Sequence, residues 1–274
     1  MTAFLKMHGL GNDFAVFDAR NAAVALDAAT AKAVADRRFG IGCDQVIVIG
    51  RSANGADATM RILNADGGEV EACGNATRCV AQLLMEERDV ASVKIDTPAG
   101  LLACSDAGSG LVTVDMGRPE FDWKKIPLAR EVDTNGFALD RTPFTASALA
   151  TGNPHCVIFV DDTEAVPLAK LGPQIEHHPL FPARVNVEFA TVQTRNALRM
   201  RVWERGVGIT SACGTGACAS AIAAMRRGLT DRKVTVTLDG GQLLIEWRAD
   251  DHMLMTGPAT LAYRGEVDLT ALTA

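Results

Sequence analysis

Apolar and polar positions alternate along this chain in short runs, and the runs come in two series. Alternating or β-branched stretches predict strands at Val46–Ile49, Met60–Leu63, Val93–Thr97 and Leu111–Met116. A second series predicts strands at Val187–Ala190, Leu198–Trp203, Val234–Leu238 and Leu243–Trp247. Each series also holds one segment with helical spacing. In the first, Ala76, Cys79, Val80, Leu83 and Leu84 follow i, i+3, i+4, i+7, i+8 and form one apolar stripe. In the second, Ala217 to Met225 is apolar almost all round, and Gly228 is placed to stop it. A helix with no polar face must be enclosed, so each sheet is expected to wrap around its own helix.

The two series are copies of one repeat. Residues 60–75, MRILNADGGEVEACGN, align without gaps to residues 200–215, MRVWERGVGITSACGT, and share Met, Arg, Gly, Ala, Cys and Gly. The match extends both ways. Gly11-Asn12 and Gln45-Val46 lie 141 residues before Gly152-Asn153 and Asn186-Val187, and Ala81 and Met85 lie 140 before Ala221 and Met225. VKID at 93–96 matches VTVT at 234–237. A collinear series at nearly constant offset indicates duplication. The polar stretch from Gly117-Arg118-Pro119 to Pro127 marks the boundary between the halves.

Composition narrows the function classes. The chain has 274 residues, 48% of them hydrophobic, and a formal net charge of −6, with basic and acidic residues interspersed. Nucleic acid is therefore not the expected partner, because phosphate binding needs clustered Lys and Arg. The pairs Arg37-Arg38 and Arg226-Arg227 read as solvated surface. No apolar run is long enough to span a bilayer, and MTAFLKMHG at the start lacks a signal-peptide core. A cytoplasmic protein without a membrane partner is expected, and its seven cysteines read as reduced thiols.

Chemistry enters with two of those thiols. Cys73 and Cys213 occupy the same place in the repeat, each opening the predicted helix and followed by glycine. A helix start presents unpaired N–H groups and partial positive charge, which favours thiolate over thiol and lowers the cysteine pKa. The same N–H groups can cradle a carboxylate, and glycine lets the anion approach. Two such units suit proton transfer at a carbon beside a carboxylate: one thiolate removes the α-proton, and the other thiol protonates the opposite face. Cys43, Cys79, Cys104, Cys156 and Cys218 read as packing residues.

Three other readings stay open. Cys73/Cys79 with Cys213/Cys218 could be drawn as zinc ligands, though C-x5-C and C-x4-C on helices suit a structural site poorly. Gly214-Thr-Gly216-Ala-Cys-Ala219 nearly matches a dinucleotide fingerprint, but no convincing strand–helix–strand unit with its acid follows, and Arg232 and Lys233 lie near where that acid belongs. A non-catalytic amino-acid-binding protein is the third.

The motifs HGLGNDF (8–14), ACGNATRC (72–79), GNPHCV (152–157), RVNVEF (184–189), WERGVG (203–208) and ACGTGAC (212–218) resemble those of the diaminopimelate epimerases, over essentially the whole chain. The resemblance implies interconversion of LL- and meso-diaminopimelate, on the route to lysine and peptidoglycan, with no cofactor and no metal. It implies a mixed α/β (α+β) fold of two pseudo-symmetric duplicated domains with the active site in the interdomain cleft, and a homodimer. The domains are expected at residues 1–118, completed by 263–274, and at 119–262. It makes Cys73 and Cys213 the catalytic thiols, and Gly74-Asn75 and Gly214-Thr215 carboxylate cradles. Asn12, Gln45, Asn64, Asn153, Asn186, Glu204 and Arg205 become substrate contacts, with His155 and Glu204 tuning the thiols. Ile209-Thr210-Ser211 before the second cysteine is a local variation on the pattern. A racemase or epimerase of another amino acid, such as proline or hydroxyproline, is the alternative within this class.

Overall fold

The computed structural model describes residues 1–52, 54–70 and 73–273. The chain forms two compact units, residues 1–114 with 257–274, and residues 115–256. No helix among the described residues is long and apolar enough to cross a membrane.

The first unit opens with a hairpin, β1 (Thr2–Gly9) and β2 (Asn12–Asp18). Its tight turn places Leu10 and Gly11 at φ 58° and 85°, the left-handed geometry that two-residue hairpin loops require. Helix α1 (Ala28–Ala35) crosses to β3 (Gln45–Gly50), which runs parallel to β2 with Phe14 opposite Gln45. β4 (Ala58–Asn64) turns back antiparallel and pairs with the short β5 (Glu69–Val70). Helix α2 (Gly74–Arg88) then crosses to β6 (Ser92–Thr97), parallel to β4. β7 (Gly100–Gly108) and β8 (Leu111–Asp115) continue the sheet antiparallel.

The second unit repeats this plan. After β9 (Phe137–Ala138), the hairpin is β10 (Thr145–Ala150) and β11 (Pro154–Phe159). Helix α3 (Leu168–Glu176) crosses to β12 (Asn186–Thr194), parallel to β11 with His155 opposite Asn186. β13 (Ala197–Glu204) returns antiparallel and pairs with β14 (Gly208–Ile209). Helix α4 (Gly214–Arg226) crosses to β15 (Lys233–Leu238), parallel to β13. β16 (Gly241–Trp247) and β17 (Met253–Pro258) close the series. β18 (Thr260–Val267), followed by the short α5 (Leu269–Leu272), pairs with β1 in the first unit, as β9 pairs with β10 in the second.

Each unit is a sheet around one helix. α2 packs against β1, β6 and β7, and α4 packs against β10, β11, β12, β13, β15 and β16. From Gly216 to Met225 every residue of α4 is buried. Seven small residues among those ten, Gly216, Ala217, Ala219, Ser220, Ala221, Ala223 and Ala224, let strands approach from most sides without voids. Gly228 follows the helix at φ 69° and its N–H bonds Met225 O, so the glycine stop forms as the pattern predicts. α2 has a different end: Asp89 takes the left-handed conformation and its N–H bonds Met85 O.

Candidate functional site

Both repeat cysteines are helix N-caps in extended conformation, with φ −146° at Cys73 and −121° at Cys213. Each backbone carbonyl accepts from the N–H four residues on, at 2.9 Å. Ala72, part of the first ACG motif, lies outside the described residues.

Around Cys73, amides and a guanidinium gather. Asn12, at the start of β2, places Oδ1 3.7 Å from Cys73 Sγ and accepts from Asn75 Nδ2 at 3.2 Å. Its own Nδ2 donates to Asp44 at 3.0 Å, so both ends of this amide are committed. Asp44 is held in turn by Arg37 at 2.7 Å and by the Asp13 N–H at 3.1 Å, and Arg37 and Lys6 both bond Asp13. Burial works to raise the Asp13 carboxyl, but hydrogen bonds from Arg37 and Lys6 hold it down at about 2. Arg37, expected as free surface, is an exposed side chain tied into this network. Gln45 and Asn64, paired across β3 and β4, bond each other at 2.9 Å.

Arg78 was not anticipated as more than a helix residue. It is fully buried, donates to Asn75 Oδ1 at 2.9 Å and bonds the Pro258 carbonyl at 3.2 Å. The signal available was its place just past the first turn of α2, among residues of the apolar stripe, where an arginine must have partners.

Around Cys213, carboxylates gather instead. Cys213 is 5% exposed, and its sulfur accepts from Gly216 N at 3.4 Å and contacts Thr215 Oγ1 at 3.5 Å. Glu204, at the end of β13, accepts from the Thr210 hydroxyl, and its charge acts on the Cys213 thiol. Thr210, in the Ile209-Thr210-Ser211 stretch before the motif, thus orients the carboxylate. Behind them His155 and Glu188 are fully buried, with Nδ1 2.7 Å from Oε1, and His155 Nε2 lies 2.8 Å from Asn153 Oδ1. Gly216 makes room, since a Cβ there would stand 2.8 Å from Glu188 Oε1 and 3.2 Å from Cys213 Sγ.

One expectation is corrected. The helix start was expected to lower the thiol pKa, and at Cys213 the thiol is instead pushed well above its ordinary value. Burial is the main cause, followed by the charges of Glu204 and Glu188; the Thr215 hydroxyl and the Gly216 N–H oppose them without prevailing. Burial also raises the carboxyls of Glu204 and Glu188.

The remaining residues divide between ligand-like and bracing positions. Asn186 uses Nδ2 on the Pro154 carbonyl and Oδ1 on the Arg205 N–H, bracing the turn that carries Glu204 and Arg205. Arg205 is exposed and touches the Ala183 carbonyl at 3.2 Å. Gly74 is buried, Asn75 nearly so, and Gly214-Thr215 opens α4 with Thr151 bonded to the Thr215 carbonyl. Glu176 was missed: buried at the end of α3, it accepts from Trp203 Nε1 at 2.7 Å and Gly206 N at 2.9 Å. Arg61 and Arg201 sit in ion pairs with Glu69 and Asp239, and Arg226 lies over the Phe121 ring.

Cys43, Cys79, Cys104, Cys156 and Cys218 are all buried, and burial pushes Cys43 up to about 11 and Cys79 to about 12. These are inert thiols. No group of three or more His, Cys, Asp or Glu is arranged to hold a metal among the described residues.

Comparison with known proteins places these features. The family model described as Diaminopimelate epimerase matches residues 4–121 and 147–262. The Diaminopimelate epimerase of Erythrobacter litoralis (strain HTCC2594) is 56% identical over 268 residues, 97% of each chain. That of Rhodospirillum centenum (strain ATCC 51521 / SW) is 54% identical, covering 98% of this chain and 93% of its own. Among solved structures, a hydroxyproline epimerase from Agrobacterium vitis with bound trans-4-OH-L-proline superposes with a TM-score of 0.70 at 17% identity, covering 97% of this chain and 90% of its own. A probable proline racemase from Agrobacterium radiobacter K84 gives 0.70 at 18% identity, with 98% and 93% covered. At such identities these two likenesses show a shared fold.

Proposed function

This chain belongs to the diaminopimelate epimerase family, and from that premise we propose that it interconverts LL- and meso-2,6-diaminopimelate without a cofactor, using Cys73 and Cys213 as paired proton acceptor and donor. The observation that carries the reading is the repeat itself: two equivalent cysteines, each capping the central helix of its own unit. Racemisation is a pseudo-symmetric reaction, in which the two groups exchange roles with the stereoisomer bound.

In the forward step one thiolate takes the α-proton, and the electron pair left on carbon delocalises into the α-carboxylate. The other thiol then gives its proton to the opposite face and becomes the thiolate. The N–H groups opening α2 and α4, at Gly74-Asn75 and Gly214-Thr215, stabilise the carboxylate as its charge grows. With its thiol pushed up by burial and by two carboxyl groups, Cys213 rests as the proton donor. Asn12, Gln45, Asn64, Asn153, Asn186, Glu204 and Arg205 hold the polar groups at the two ends of the substrate, while His155 and Glu204 tune the protonation of the thiols. Functionally, residues 1–118 with 263–274 supply Cys73 and residues 119–262 supply Cys213. A homodimer in the cytoplasm, in the service of lysine and peptidoglycan synthesis, completes the reading.

The test is solvent deuterium exchange at the substrate α-carbon. Wild type epimerises diaminopimelate with incorporation of deuterium, and Cys73→Ala and Cys213→Ala each lose epimerisation by a factor on the order of 10³. Epimerisation retained by both variants, or turnover of hydroxyproline in place of diaminopimelate, would overturn the proposal.

A further inference from the structure

His155 on β11 and Glu188 on β12 are fully buried and in close contact, Nδ1 to Oε1 at 2.7 Å. Under the 141-residue offset of the repeat, their places in the first unit belong to Phe14 and Ile47, which are also fully buried. The strand registers agree, since Val16 stands opposite Ile47 and Val157 opposite Glu188. This fold therefore accommodates an apolar pair at these positions, and a buried ionic pair is often no more stabilising than its apolar replacement. The second copy nevertheless keeps the polar pair, and Gly216 leaves the space its carboxylate occupies, where the first copy has Ala76.

The pair acts on one group outside itself. His155 Nε2 lies 2.8 Å from Asn153 Oδ1. With the shared proton on the ring, both ring nitrogens carry hydrogen. With it on the carboxyl, the O–H donates to Nδ1, and the hydrogen remaining on the ring is at Nε2. An amide oxygen can only accept, so Asn153 Oδ1 at 2.8 Å from Nε2 matches these two states, in which Nε2–H donates to it, and not the one with hydrogen on Nδ1 alone. The Asn153 amide is thereby turned to offer Nδ2, which makes no hydrogen bond among the described residues. Its counterpart Asn12 is turned the other way: Nδ2 is spent on Asp44, and Oδ1 faces Cys73 and Asn75.

We propose that Glu188, acting through His155, fixes Asn153 as a hydrogen-bond donor and so makes position 153 a binding point for a carboxylate oxygen of the substrate. Glu188 is a positioning residue and does not touch the substrate. This role rests on the amino-acid-epimerase reading above. The titratable groups around the ring are Glu188 on β12, Glu204 on β13, Cys213 at the start of α4 and Cys156 next along β11.

Side-chain ¹⁵N NMR of the full-length protein, with His155 assigned by comparison with His155→Phe, reads the arrangement directly. Nε2 is expected to carry hydrogen, as its contact with the Asn153 amide oxygen requires. Kinetics read its consequence. Glu188→Met cannot bond Nδ1, and its KM for diaminopimelate is expected to rise about tenfold while kcat changes far less. Glu188→Gln, whose amide can still donate to Nδ1, falls between Met and wild type. A wild-type Nε2 without hydrogen, or a Met variant with the wild-type KM, overturns the proposal. If the Met variant fails to fold, the NMR signal and the Gln variant decide. Absence of α-proton exchange in wild type is a separate outcome: it sinks the epimerase reading, while the Nε2 signal still tests the relay.

Discussion

Cys73 opens α2 beside two asparagines and a network that ends in Arg78, Arg37 and Lys6; Cys213 opens α4 beside Glu204 and the buried His155–Glu188 pair. The backbones are copies, with the same strand order, the same crossovers and an extended cysteine at each N-cap, though only the Cys213 side chain accepts a cap hydrogen bond. The difference lies in a few substitutions at matching positions: Asn64 against Glu204, Phe14 against His155, Ile47 against Glu188, Arg78 against Cys218. Duplication supplies two equivalent helix starts, and these substitutions give them opposite electrostatic surroundings.

The largest expected effect tests the tight side of the comparison. Gly216→Ala puts a methyl 2.8 Å from Glu188 Oε1 and 3.2 Å from Cys213 Sγ, so sulfur or carboxylate must shift. Activity is expected to fall roughly a hundredfold, as displacement of a reacting group by about an ångström does. Ala76→Gly at the matching position is expected to cost only about 1 kcal/mol of helix stability. Equal activity losses in the two variants would erase the distinction drawn between the helix starts.

Next comes the ionic support on the Cys73 side. The Asp13 carboxyl is held at about 2, below its ordinary value of 3.8, so folding binds it in its charged form. Its contribution is present above the unfolded pKa and is lost as pH falls from about 4 through about 2. Asp13→Asn is therefore expected to lose about 2 kcal/mol at neutral pH and to flatten the acid limb of the stability curve. Urea titrations at neutral and acid pH check this, and a variant with wild-type stability at both would contradict it.

The smallest effect concerns the thiol itself. The charge of Glu204 raises the Cys213 thiol, so removing it makes ionisation easier. In Glu204→Gln, the pH profile for alkylation of Cys213 is expected to move down by about one unit, with Cys73 unmoved. Peptide mapping after iodoacetamide treatment distinguishes the two sulfurs, and an upward move at Cys213 would reverse the assignment of Glu204.

Much of the architecture is legible in the sequence because it depends on periodicity. The runs at 46–49, 60–63, 93–97 and 234–238 all fall inside observed strands, and the two helical segments lie within α2 and α4. Strands β1 and β18 escape that reading, because β18 is exposed along most of its length and shows no alternation. The crossovers α1 and α3 escape it as well, being short helices of eight and nine residues, the second with Pro173 inside it.

The candidate site was legible where residues repeat. Cys73 and Cys213 stand out by their matching places in the repeat; Asn12 and Asn153, and Gln45 and Asn186, repeat as well, but their reading as substrate contacts rests on the family resemblance. Where the copies diverge, that signal is silent: Glu188 sits inside RVNVEF without a matching acid, and Glu176 and Arg78 have no charged partner in the other copy.

The sequence by itself determined the duplication, the two thiols and their helix starts, because hydrophobic period and repeat are properties of the chain order. Only the tertiary structure decided that the Cys213 thiol is pushed up, and that the Asn12 amide is spent on Asp44 and Asn75 while Asn153 turns its oxygen to His155. Both depend on groups brought together by the fold in a dry interior, where burial first, and the charges of Glu204 and Glu188 after it, outweigh the local field of a helix end at Cys213.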